Sequence, residues 1–222
     1  MKKVFLLLAT ITLFSCENAP KYAYNKELEK AITIAEQSQI KEVDLLLGFK
    51  FGMNEKEVDS HFLKLKKEGK IYTNKKGEYR YDFICETGGT IVLGFIPQYY
   101  NGELYKMLYP IRAMKIGVGD NDIETSAYVV AHYPISTTFR HNKTDFMEYK
   151  QENIMSYAYK KDKDPIFEKY KDVNDYTYIK DNMIVEFSPD NIVYTNAPTD
   201  KIIKNEKKEK ERVKASESAS QF

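Results

Sequence analysis

The chain has 222 residues, 34 of them Lys or Arg and 33 Asp or Glu, with 42% hydrophobic and 14% aromatic residues. This composition excludes wholesale disorder and collagen-like sequence, and the near-zero net charge argues against nucleic-acid binding through a basic domain. The only cysteines are Cys16 and Cys85, too few for a disulfide framework.

The chain opens with Lys2 and Lys3, then an apolar run from Val4 to Phe14, then Ser15 and Cys16. As a helix that run spans about 16 Å, roughly half of a hydrocarbon core, so it reads as a secretory signal rather than a permanent span. The segment Leu13-Phe14-Ser15-Cys16 resembles the lipobox of bacterial lipoproteins. That resemblance implies acylation of the Cys16 thiol, which then becomes the first mature residue; the alternative is a plain signal peptide cleaved nearby. The expectation is a signal over 1–15, a tether over 16–24, and a protein anchored through Cys16 to a bacterial membrane, the outer one, facing periplasm or surface. Two or more acyl chains hold a protein stably where one does not. Loss of Lys2 and Lys3 leaves 32 basic against 33 acidic side chains, a formal charge of −1. Cys85, then the sole thiol, is expected to pack as a small hydrophobe.

Asn25 caps an expected helix whose Leu28, Ala31, Ile32 and Ala35 share one face. The apolar segment Val43–Met53 leads into Asn54 and Glu57, a capping-box pair, and Val58, His61, Phe62 and Leu65 carry the helical spacing on to a stop at Gly69. From Gly77 the period becomes two: Tyr79, Tyr81, Phe83 and Cys85 alternate with polar residues, as a half-buried strand requires. Strands over Thr90–Ile96, Leu104–Tyr109 and Ala113–Val118 follow, with a hairpin at Asn101-Gly102. Strands so close together pair antiparallel. A second helix is expected from Asn121 to before Pro134, then strands at about 144–150, 153–159, 176–187 and 191–195. Residues 160–175 hold ten charges in sixteen and read as an exposed loop. The fold class is α+β: an antiparallel meander sheet with helices packed on one face, organised as 25–118 and 119–198. The spacing Gly52, Asn54, Glu57 recurs as Gly119, Asn121, Glu124, which leaves a tandem helix-plus-sheet repeat open beside the simpler view that any two helices need caps. Residues 199–222 form a charged tail that begins as a helix candidate and ends in a stretch too polar to pack, about ten residues of it disordered.

The run Leu47-Gly48-Phe49, Phe51-Gly52-Met53-Asn54, Glu57-Val58 with Leu65, followed by an antiparallel meander, resembles the small lipoprotein domains related to the BamE subunit of the outer-membrane assembly machinery. The same architecture occurs in the beta-lactamase inhibitor protein. The resemblance covers about 70 residues and implies helices on a twisted antiparallel sheet, and an activity of binding other proteins. This chain is larger than one such domain, has no Trp and carries the 160–175 insertion, so no interface residue transfers by position.

His61, His132 and His141 stand in no metal-binding spacing, and His61 lies on the apolar stripe of its helix, where a packed imidazole is the expectation. The acidic cluster Asp162, Asp164, Asp172 and Asp175 fails the EF-hand pattern at Ile166 and Phe167. No phosphate-binding glycine motif occurs, so neither a nucleotide nor any other cofactor is expected. A hydrolase would need His132, His141 and Asp145 to converge with a nucleophile, and Ser136 and Ser156 lack the strained elbow such nucleophiles occupy. Tyr99, Tyr100, Tyr105, Tyr109, Tyr157 and Tyr159 are the candidate binding residues, because exposed tyrosine offers large contact area at low entropy cost, although strand alternation also sends some into a core. The reading is a non-catalytic lipoprotein that binds another envelope protein. The alternative is an envelope hydrolase or small-ligand binder with an aromatic or His/Asp-lined cleft.

Overall fold

In the computed structural model, residues 25–40, 43–85, 89–115, 145–151, 175–188 and 191–219 are described. All of them except Gln151 fall in one compact unit, Asn25–Lys150 with Asp175–Phe222. Helix α1 spans Lys26–Ala35, and the Asn25 side chain accepts from the Glu27 and Leu28 amides, as its capping role requires. Helix α2 spans Glu55–Lys67 and starts in the full capping box of Asn54 and Glu57. Gly69, at φ +70°, turns the chain away where a side chain would be strained.

Nine strands are described: β1 (Tyr72–Thr73), β2 (Tyr79–Ile84), β3 (Thr90–Leu93), β4 (Ile96–Tyr100), β5 (Glu103–Lys115), β6 (Met147–Gln151), β7 (Asp175–Lys180), β8 (Met183–Phe187) and β9 (Asn191–Asn196). They form one open antiparallel sheet in the order β1-β2-β3-β5-β9-β8-β7-β6, with β4 also on β5. The expected α+β class is therefore what the chain adopts.

Three strand assignments change. The strand expected over Thr90–Ile96 ends at Leu93, and Ile96 opens β4. Leu104–Tyr109 and Ala113–Lys115, the described part of the expected Ala113–Val118 strand, are not separate: β5 runs unbroken through Pro110, whose carbonyl receives the Gly94 amide where its partner changes from β4 to β3. Bulges beside Val92 and Gln98 absorb the bend. The single strand expected over 176–187 is instead the hairpin of β7 and β8. Asp181, at φ +51°, makes the turn, and both arms are so apolar that the Asp-Asn dipeptide reads locally as strand interior. The Asn101-Gly102 hairpin forms as expected, with φ of +50° and +81°. The expected second helix, the 153–159 strand and residues 160–174 of the expected 160–175 loop lie outside the described residues, while Asp175 begins β7.

Alternate strand residues serve two clusters, one on each face. Phe49, Val58, Phe62 and Leu65 of α2 and its preceding loop pack with Ile91, Leu93, Met107, Tyr109, Val185, Phe187 and Tyr194. On the opposite face, Leu28 and Ala35 of α1 meet Ile179, Ile184 and Ala197. The helices are thus divided between the two faces, where the expectation put them on one. Ring contacts run through the larger cluster: Phe62 stacks on Tyr79 at 4.5 Å, Phe95 lies 5.5 Å from Tyr109, and Tyr109 lies 5.6 Å from Tyr194 on β9. This chain of rings joins the β1–β5 meander to the β7–β9 meander. Removing the buried ring of Phe62 is worth about 3–5 kcal/mol.

The loop before α2 is pinned from both sides. His61 Nε2 lies 2.9 Å from the Leu47 carbonyl, and the Tyr109 hydroxyl donates to the Leu46 carbonyl at 3.3 Å. The His61 ring meets Phe49 edge-on at 4.6 Å, the packed imidazole that its place on the helix suggested. Leu47 sits at φ +62° and Gly48 at +77°, a left-handed pair that those bonds hold in place.

Candidate binding surface

The β4–β5 hairpin gathers three of the candidate tyrosines at one end of the sheet. The bulge at Gln98/Tyr99 turns them to different faces. Tyr99 packs against the α2 side, where desolvation and the Glu55 and Asp59 carboxylates push its hydroxyl pKa up. Tyr105 donates to Gln98 Oε1 at 3.3 Å. Tyr100 reaches helix α3 (Ala197–Ala219) and donates to Glu206 Oε1 at 2.6 Å, a bond that raises the phenol pKa because ionisation would break it.

Helix α3 begins at the end of β9, where Asn196 caps it by accepting from the Thr199 amide. Asp200 in its first turn pairs with Lys106 of β5 at 2.8 Å and with Lys204 at 2.8 Å. Burial works against the Asp200 carboxylate, but the two lysines outweigh it and hold its pKa below the ordinary value. Lys201 adds a 3.1 Å pair to Glu36 at the end of α1. Thr195 lies between Lys106 and Ile184 in the sheet register, and its buried Oγ1 has no hydrogen-bond partner among the described residues.

Tyr109 does not belong to this surface. Its relative exposure is 0% and its hydroxyl serves the Leu46 carbonyl, so it is a core residue and not a binding anchor. Strand alternation explains this, since Met107, Tyr109 and Ile111 all face α2. Tyr157, Tyr159, Cys16, His132 and His141 lie outside the described residues. Asp145 is paired with Lys180 at 2.6 Å. Cys85 is buried among apolar side chains, which push its thiol pKa up to about 11. Among the described residues no group of three or more His, Cys, Asp or Glu is placed to hold a metal ion, and no helix is long and apolar enough to cross a membrane.

Lys106, Asp200 and Glu206 carry no mark in the sequence. They stand 94 and 106 residues from their partners, so no local spacing announces them. No protein-family model, curated protein or solved structure matches the chain. What the geometry defines is a class, an α+β protein with an open antiparallel sheet and a charged C-terminal helix docked on one face.

Proposed function

We propose that this protein is an exported, lipid-anchored and non-catalytic module that binds another envelope protein. The observation that carries the reading is the hairpin bearing Tyr99, Tyr100 and Tyr105, which is stiffened by a two-residue turn and braced through Glu206. Preorganised tyrosine lowers the entropy cost of association and supplies both apolar area and a hydroxyl. The address is supported by the apolar run Val4–Phe14 ending in Leu13-Phe14-Ser15-Cys16. The resemblance of Leu47–Val58 to BamE-related domains points the same way.

The test has two arms. Triple substitution of Tyr99, Tyr100 and Tyr105 by Ala, with the circular-dichroism spectrum unchanged, is expected to abolish capture of the envelope partner by in-cell crosslinking. Unchanged crosslinks would refute binding through the hairpin. Cys16→Ala is expected to move the protein from the membrane to the soluble fraction, and retention in the membrane would refute anchoring by this residue.

A further inference from the structure

Helix α3 is attached to the body only over its first half. Ala197 is buried, Asp200 pairs with Lys106, Lys201 with Glu36, and Glu206 accepts from Tyr100. From Lys207 onward the helix continues to Ala219, thirteen residues or about 20 Å at 1.5 Å per residue. No hydrogen bond or ion pair joins this arm to any described residue outside the helix. Ser216 and Ser218 turn their hydroxyls back onto carbonyls of α3 itself. Every side chain whose exposure is described from Lys207 to Ser218 is exposed.

The arm is net basic. Lys207, Lys208, Lys210, Arg212 and Lys214 stand against Glu209, Glu211 and Glu217, five cations against three anions, and all five cations lie within 207–214, where only Glu209 and Glu211 oppose them. Lys207 lies 4.0 Å from Glu211 and Arg212 lies 3.3 Å from Glu209. Lys208, Lys210 and Lys214 have no ion-pair partner among the described residues. Lys207, Lys210 and Lys214 stand at i, i+3 and i+7, so they line one face of the helix.

We infer that this basic arm is an electrostatic contact for an anionic phospholipid surface. A stable protein interface needs a desolvated apolar centre, and in this span the arm offers only Val213, itself 45% exposed. Attraction to anionic headgroups needs only charge within a Debye length of the surface. The inference rests on the reading that the protein resides at a membrane, though not on Cys16. The arm would orient the module on the bilayer while a lipid anchor would only retain it.

The experiment uses the full chain carrying Cys16→Ser, so that no acyl anchor contributes and failure of the anchor reading stays separate. Binding is measured by sedimentation with vesicles of phosphatidylcholine alone and with 30% phosphatidylglycerol, against the same chain carrying Lys208→Gln, Lys210→Gln and Lys214→Gln. Gln keeps helix propensity, and far-UV circular dichroism checks the fold. Each lysine near an anionic surface strengthens attachment about fivefold, so the triple variant is expected to bind anionic vesicles roughly a hundredfold more weakly, with the difference shrinking at high salt. Equal binding by parent and variant overturns the inference, as does equal binding of the parent to neutral and anionic vesicles. Unchanged vesicle binding together with loss of a crosslinked acidic protein also overturns it, in favour of a protein partner.

Discussion

Lys106 on β5 and Asp200 on α3 meet at 2.8 Å, joining the centre of the sheet to the first turn of the C-terminal helix across 94 residues of sequence. The Asp200 side chain is only 13% exposed, so the pair works largely out of solvent and forms the main polar fastening of the helix.

This fastening is acid-sensitive. Because the folded-state pKa of Asp200 lies below its ordinary value of 3.8, its contribution is present above that pH and is lost as pH falls through the lower, folded value. Asp200→Asn is expected to lower stability at neutral pH by about 1–2 kcal/mol and to flatten the acid limb of the stability profile below about pH 3.8. Urea unfolding followed by circular dichroism at pH 7 and pH 3 measures both effects. An acid limb as steep in the variant as in the parent would contradict the assignment.

Tyr109 and Tyr194 are expected to set the alkaline limit of stability. Burial raises both hydroxyl pKa values above the ordinary 10, Tyr109 further through the neighbouring Tyr194. Their contribution is full below pH 10 and is lost as pH rises through the folded values. In a spectrophotometric titration at 295 nm, these two phenols are expected to ionise only together with unfolding. Tyr109→Phe should remove one of them at a cost of about 1 kcal/mol, the hydrogen bond to Leu46.

Phe49 and Gly52 separate packing from backbone strain in the loop before α2. Phe49 is fully buried against His61, Phe62 and Phe95, so Phe49→Ala is expected to cost about 3–5 kcal/mol. Gly52 has open space where a Cβ would stand but sits at φ +86°, so Gly52→Ala should cost only about 1–2 kcal/mol, all of it conformational. Urea midpoints of the two variants test the ordering.

Cys85 is expected to be inert in the native protein. With the thiol buried and its pKa pushed up to about 11, iodoacetamide at pH 8 should modify it at least tenfold more slowly than in urea-unfolded chain. Mass spectrometry reads the difference directly, and equal rates would place the thiol at the surface.

Local chemistry alone determined much of this protein. Asn25 and the Asn54–Glu57 box start α1 and α2, the alternation from Tyr79 to Phe83 makes β2, and Asn101-Gly102 turns the β4–β5 hairpin, because caps, period and turn residues act within a few positions of themselves. The address read at Cys16 is of the same local kind. Which tyrosine is core and which is surface was decided only by the tertiary structure: Tyr109 and Tyr105 lie on one strand, and the bulge and the placement of α2 send the first inward. The same holds for the joining of two meanders through β5 and β9 and for the pairing of Lys106 with Asp200 and Tyr100 with Glu206, while α3 runs on to Ala219 in what composition marks as a tail without contacts to the body. The joined meanders and the two pairings depend on contacts between residues some eighty or more positions apart, for which a one-dimensional pattern carries no signal.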